Sequence, residues 1–323
     1  MHFKIFKKII RPIIIFLTLS LIFVILLFQI YFTSLPRAYN PPCESYHQLH
    51  NITYSQLSTY PPVKIFIGIF TTIETFERRH LLRKLYRYEI NTRQFNKYIE
   101  NEQKDLIDYK FILGKPNELI TKEIKLKFKI ESEAFQDIII LDDDENLNDG
   151  KTYYYFKWVA ENLIKKVGEN NTLKEYDYIV KTDDDSFINL KNLALNLRPF
   201  SQYTTSLYYG YMRTTSPDNS LKMYATGMIE VLSTKYAEKV GNLTISKEDL
   251  INHPEDVWLA WILMVNGMNE HWIGEQCLIY DDPRMIRYEP SKGSLIFPQT
   301  ITIHNLKEDW RWNEVIEYFY GDY

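Results

Sequence analysis

Three consecutive carboxylates, Asp183-Asp184-Asp185, end the apolar, β-rich run Tyr178-Ile179-Val180-Lys181-Thr182 and lead into Ser186-Phe187-Ile188-Asn189. Adjacent anions repel, so a strand end that concentrates them calls for a cation or for hydrogen-bond donors. Side chains of an extended segment alternate in direction, so Asp183 and Asp185 can face one site while Asp184 faces another. An Asp-x-Asp pair of this kind suits a hard divalent cation held against a nucleotide diphosphate. The competing reading is a solvated acidic turn, because short motifs arise often by chance.

A second acidic pair, Glu255-Asp256, follows Pro254 and precedes the apolar residues Val257, Trp258, Leu259 and Trp261. Acids at a helix start complement the exposed amides and the dipole, which is one sufficient reason for them. The other is chemistry: a carboxylate can take the proton of an attacking hydroxyl. Near the end of the chain, Ile301-Thr302-Ile303 is a short β-branched strand that delivers His304. A single histidine there is also a satisfactory core or capping residue.

The elements that must position these groups alternate in type. Apolar strands are expected at Val63–Phe70, Tyr109–Leu113, Asp137–Leu141 and Tyr176–Lys181. Helices are expected between them at Glu74–Ile90, Glu118–Phe135 and Gly150–Val167. Such alternation predicts an α/β fold with a mostly parallel, twisted sheet and helices on both faces. Ligands of such sheets bind beyond the carboxyl ends of the strands, where Thr71, Asp142 and Asp183 to Asp185 fall. After Pro199 the texture changes to short strands around Tyr208–Met212 and Met223–Leu232, a helix from Pro254 to Asn266 and a closing aromatic helix at Lys307–Phe319.

With 323 residues, 45% of them hydrophobic and 15% aromatic, the chain has ample material for a buried core. A net charge of -4 gives no basic footprint for nucleic acid. Lys4, Lys7, Lys8 and Arg11 precede an apolar stretch, residues 13–32, of the length that crosses a bilayer. Basic flanks stay cytoplasmic, so the expectation is a tail at 1–12, a single signal-anchor helix at 13–32, a stem at 33–62 and a lumenal domain at 63–323. Within that domain, 63–200 reads as a nucleotide-sugar half and 201–323 as an acceptor half. A cleaved signal peptide is the alternative, although Thr33-Ser34-Leu35-Pro36 is a poor cleavage site. Sequons at Asn51, Asn170 and Asn242 agree with a lumenal location. The two cysteines, Cys43 in the stem and Cys277 deep in the domain, leave their pairing open.

Five segments, in order, resemble the β1,3-glycosyltransferase family of β1,3-galactosyltransferases, β1,3-N-acetylglucosaminyltransferases and Fringe enzymes. They are Glu77-Arg78-Arg79-His80-Leu81-Leu82-Arg83, Phe111-Ile112-Leu113-Gly114, the stretch Glu131 to Thr152, Lys181 through Asn189, and Glu255-Asp256-Val257. The chain departs from the family's pattern at Thr226–Ser233, which keeps one glycine, at Ala260, and in lacking the usual disulfide cysteines.

The resemblance implies a GT-A fold in the Golgi membrane. Its implied reaction is an inverting transfer of a hexose or N-acetylhexosamine from a UDP-sugar, with Mn2+, to a hydroxyl of a glycan, glycoprotein or glycolipid. It makes Asp185 and His304 metal ligands, places Asp183 near the nucleotide with Asp184 in support, offers Arg79 and Lys151 to the diphosphate or uracil, and makes Asp256 the general base. The alternatives are a catalytically silent lectin-like or chaperone protein of the same fold, or another nucleotide-sugar transferase.

Overall fold

Lys64–Phe70 reads Lys-Ile-Phe-Ile-Gly-Ile-Phe, and every residue after the lysine is buried. A strand apolar on both sides must lie inside a covered sheet, and in the computed structural model this one does. Described are residues 45–93, 105–146, 148–167, 171–174, 176–203, 205–214, 223–251, 254–281 and 298–321.

The strands in chain order are β1 (Lys64–Phe70), β2 (Leu106–Lys115), β3 (Ile138–Asp144), β4 (Ile164–Val167), β5 (Asn171–Lys174), β6 (Tyr178–Asp183) and β7 (Phe187–Ile188). They continue with β8 (Leu207–Thr214), β9 (Met223–Ser233), β10 (His271–Gly274), β11 (Ile279–Tyr280) and β12 (Thr302–Ile303). Seven of them form one sheet in the order β10-β8-β9-β6-β1-β2-β3. β1 pairs in parallel with β2 and β6, β2 with β3, and β10 with β8, while β9 is antiparallel to both β6 and β8. A mixed, mostly parallel α/β sheet is thus what the alternation predicts. The sheet runs unbroken across the expected division at residue 200, because β9 hydrogen-bonds directly to β6.

The alternation of β1 divides the core. Ile65, Ile67 and Ile69 join Leu82, Leu85, Leu193, Leu197 and Trp312 on one face, and Phe66 and Phe70 join Tyr155, Phe156, Val159, Leu259 and Leu263 on the other. Gly68 is required by this second face: a Cβ there would stand 2.5 Å from the ring of Tyr155, whose hydroxyl donates to Val180 O at 2.8 Å.

Three expectations change. The helix expected over 150–167 ends at Asn162, and Ile164–Val167 turns into an antiparallel hairpin with β5. Its helical apolar face is spent by Val159, and Gly168-Glu169-Asn170-Asn171 has the composition of a turn. The second change concerns the stem, whose end is docked on the domain. Helical turns at Tyr46–Leu49 and Tyr54–Leu57 bury His47 and Leu57. His47 Nε2 bonds Asn196 O at 2.7 Å, and the Tyr54 hydroxyl donates to Asn192 Oδ1 at 2.6 Å. Arg198 reaches the carbonyls of Ser58 and Tyr60, so residues 45–62 pack against the body expected to begin at 63. Third, Cys277 is disulfide-bonded, and the chain's other cysteine is Cys43. Among the described residues no helix is long and apolar enough to cross a membrane; the expected tail and anchor, 1–32, lie outside them.

Candidate active site

β6 is buried through Thr182 and opens at Asp183, opposite Phe70 of β1. The chain then turns, and Asp184 is the turn's anchor. Its amide donates to Phe70 O at 3.0 Å, and its Oδ2 accepts from Thr71 Oγ1 at 2.7 Å and Thr75 Oγ1 at 2.9 Å. Asp184 therefore faces the start of the helix Phe76–Tyr88, which leaves its two neighbours to face the same way.

β7 pairs antiparallel with β12, Phe187 opposite Ile303, and the Leu306 amide donates to Asp185 O at 2.9 Å. This pairing carries His304 to the acidic turn. One ligand atom from each of Asp183, Asp185 and His304 lies within 4.8 Å of the others. Two carboxylates and an imidazole suit a divalent first-row ion such as Mn2+.

The charges have been displaced accordingly. Burial alone would lower the His304 pKa, but its hydrogen bonds to Asp185 and Asp281 raise it to about 10. Asp185 is the mirror case: burial pushes it up, and the hydrogen bond and charge of His304 leave it below the usual carboxylate range. Asp183 is raised to about 7 by burial, with Glu255, Asp185 and Asp256 adding to the effect and Lys181 opposing it.

Asp256 opens the helix Glu255–Val265 without capping it. Pro254 is the N-cap and offers no side-chain cap, the Glu255 amide donates to Asn148 Oδ1 at 3.4 Å, and Asp256 Oδ2 instead accepts from Gly227 N of β9 at 2.8 Å. Glu255 is occupied, with Oε1 2.7 Å from Lys181 Nζ and Oε2 accepting from Thr152 Oγ1 at 2.9 Å.

Lys181 organises this half of the site, and its role was missed in the sequence. Its ammonium is buried, with Glu255 at 2.7 Å, Glu230 at 3.2 Å, Asp256 at 3.6 Å and Asp183 at 3.8 Å. Burial works against its charge, but the four carboxylates raise its pKa well above the ordinary lysine value. Glu230 is itself fully buried and also accepts from the Tyr208 hydroxyl at 3.0 Å. The available signal was a lysine inside an otherwise apolar strand, since lysine is almost never fully buried unless paired.

Arg79 and Lys151 are placed behind the acidic cluster. Arg79 is fully buried, bonded twice to Glu131 at 2.9 and 2.7 Å and to the carbonyl of Thr72. Lys151 donates to Thr71 O at 2.9 Å and to Glu145 Oε1 at 2.5 Å, and Glu145 Oε2 accepts from Gly114 N at 2.6 Å. Lys151 thereby ties the carboxyl ends of β1, β2 and β3. Arg78, half-buried, is the arginine that reaches the acidic turn, at Asp184 O, 3.3 Å.

The galactosyltransferase family model matches residues 77–222. A β1,3-galactosyltransferase of Schizosaccharomyces pombe is 26% identical over 293 residues, covering 76% of this chain and 72% of that protein. The chain is a glycosyltransferase, and the matches support the β1,3-glycosyltransferase family. β1,3-galactosyltransferase 1 of Mus musculus is 25% identical to this glycosyltransferase over 64% of each chain. Lactosylceramide 1,3-N-acetyl-β-D-glucosaminyltransferase of Rattus norvegicus is 25% identical over 55% of this chain and 44% of its own. The glycosyltransferase thus spans less than two thirds of the mouse and rat relatives. A solved mannosyltransferase from Pyrobaculum calidifontis, in complex with GDP-Man and Mn2+, overlaps it at a TM-score of 0.36 and 10% identity, over 73% of this chain and 58% of that one. That likeness is too distant to carry an argument.

Proposed function

We propose that this glycosyltransferase has a GT-A fold and moves a hexose or N-acetylhexosamine from a UDP-sugar to a hydroxyl of a glycan acceptor, with inversion and a β1,3 linkage. The observation that carries the reading is the convergence of Asp183, Asp185 and His304 beside an Asp256 carboxylate that its own helix does not use. The names of the related galactosyltransferases and the N-acetylglucosaminyltransferase support the linkage and the donor class.

Asp185 and His304 would hold Mn2+, with Asp183 on the nucleotide side; when bound, the ion supplies electrostatic stabilisation to the departing diphosphate. The chain's own groups do the rest. Asp256 takes the acceptor proton as the hydroxyl attacks, since an inverting displacement needs one base on the face opposite the leaving group. Gly227 N–H fixes Asp256 Oδ2, and Lys181 holds Glu255 and Asp256 together. Asp184 keeps the turn in register through Thr71 and Thr75. Arg79 and Lys151 act through the backbone ends they brace.

The full-length protein, incubated with a panel of UDP-sugars and Mn2+, should release UDP, and Asp185→Ala should not. No release with any donor, or full release by the variant, sinks the reading and favours a silent protein of the same fold. We further propose a type II Golgi membrane protein anchored by residues 13–32. Asn51 and Asn242 are exposed. Endoglycosidase should shift the mobility of protein made in eukaryotic cells, and an unshifted protein open to cytosolic protease would reverse the orientation.

A further inference from the structure

His304 is engaged on both ring nitrogens. Nε2 lies 3.2 Å from Asp185 Oδ1, and Nδ1 lies 2.9 Å from Asp281 Oδ1. Asp281 in turn pairs through Oδ2 with Arg213 near the end of β8. We propose that Asp281 is a positioning residue for the metal site: by accepting a hydrogen bond from Nδ1–H of His304, it fixes the ring so that Nε2 offers its lone pair to a divalent cation. The inference rests on the metal reading given above and goes beyond it by naming the group that sets the tautomer.

A neutral imidazole carries one N–H and one lone pair, and the partner of one nitrogen decides which is which. An ionised carboxylate only accepts, so a ring nitrogen at hydrogen-bond distance from Asp281 must be the protonated one. Nε2, beside Asp185, also carries a proton while no cation is bound; a cation held by Asp185 displaces that proton to solvent, and Nδ1–H stays on Asp281. A ligating histidine whose far nitrogen is held by a carboxylate is both oriented and made a better donor.

The strand pairing makes the contact a consequence of the fold. β11 runs parallel to β12 with Tyr280 opposite Ile303, and the His304 amide donates to Tyr280 O at 2.9 Å, so residues 281 and 304 leave the small sheet side by side. Arg213 occupies the second oxygen of Asp281 and leaves the first for the ring. Asp281 and His304 side chains are 26% and 22% exposed, so water competes only in part for their bond. The bland alternative is a surface ion pair between Arg213 and Asp281 that merely borders the histidine, and it predicts unchanged metal affinity.

The test uses the full-length protein and Mn2+ alone, with free ion read by electron paramagnetic resonance. Asp281→Asn should weaken Mn2+ binding about 10- to 100-fold while melting near wild type, and Asp281→Glu should recover part of the loss. Wild-type affinity in Asp281→Asn overturns the proposal. Should that variant fold poorly, the wild type decides: 15N resonances of the Mg2+-loaded protein should show the His304 proton on Nδ1, and a proton on Nε2 overturns it equally. Asp185→Ala separates the two readings, because a variant that binds Mn2+ as the wild type does removes the metal site and this inference with it. Loss in Asp185→Ala with no change in Asp281→Asn removes this inference alone.

Discussion

The Gly227 amide donates to Asp256 Oδ2 at 2.8 Å, so the candidate base is held by the backbone of a neighbouring strand and not by its own helix. Its other oxygen stands 3.6 Å from Lys181 Nζ, and a quarter of the side chain remains exposed. Asp256→Asn keeps the shape and removes the basicity. General-base loss costs on the order of 10²- to 10⁴-fold in rate. Turnover should fall by at least about a hundredfold, with UDP and Mn2+ binding and melting temperature near wild type. A variant that melts early yet keeps most of its turnover would place the base elsewhere.

Gly227 itself is a second test of the same geometry. A Cβ there would stand 2.8 Å from Asp256 Oδ1, 2.9 Å from Lys181 Nζ and 3.1 Å from Asp183 Oδ2, among the groups that the proposed reaction uses. Overpacking of this kind costs about 1–3 kcal/mol and displaces the groups it meets. Gly227→Ala should therefore lose far more activity than stability. Equal turnover in the two proteins would mean that Asp183, Lys181 and Asp256 do not work at this spacing.

What the sequence made legible follows from range. The strands of the first half, the Asp183–Asp185 turn and the helix after Pro254 are each marked within a few residues, by periodicity or by charge. Lys181 could be suspected but not explained, because Glu230, Glu255 and Asp256 reach it from β9 and from a helix about seventy residues further on. Glu230 was invisible for the same reason: it sits in Met228-Ile229-Glu230-Val231-Leu232, which reads as an apolar strand. Arg79 was offered to the ligand on the family resemblance, and its buried partner Glu131 was hidden because it lies on a helix that the sequence marks only as charged. Docking of residues 45–62 was equally hidden, since His47 and Tyr54 find their partners at Asn196 and Asn192.

Glu131 offers a stability prediction. Its oxygens bind Arg79 at 2.7 Å and Arg83 at 2.6 Å, with all three side chains essentially removed from solvent. Arg83 continues to Asp137 at 2.7 Å. Removing the shared carboxylate charge leaves two buried guanidinium groups competing for what remains, and breaking a buried pair costs about 3–5 kcal/mol. Glu131→Gln should lower the denaturation midpoint accordingly. Glu123→Gln, which breaks the exposed Lys127 pair on the same helix, should leave it unchanged. A small effect at Glu131 would show that the network is no support for the helix Phe76–Tyr88.

Glu275 gives a pH dependence with a definite sign. It is 1% exposed, accepts from the amides of Tyr46 at 3.0 Å and Cys277 at 3.2 Å, and burial raises its pKa from 4.5 to about 7. The folded state therefore holds this proton more tightly than the unfolded chain does. Its contribution to stability is complete below about pH 4.5 and is lost as the pH rises to about 7, with a slope of at most about 1.4 kcal/mol per unit. A glutamine in its place would be neutral throughout, so melting curves of Glu275→Gln against wild type should diverge with pH: the variant gains relative stability between about pH 5 and 7, and the difference is flat above that. Parallel melting curves for the two proteins from about pH 5 to 8 would mean that Glu275 is ionised in the folded protein at every pH tested and that its amide donors outweigh its burial.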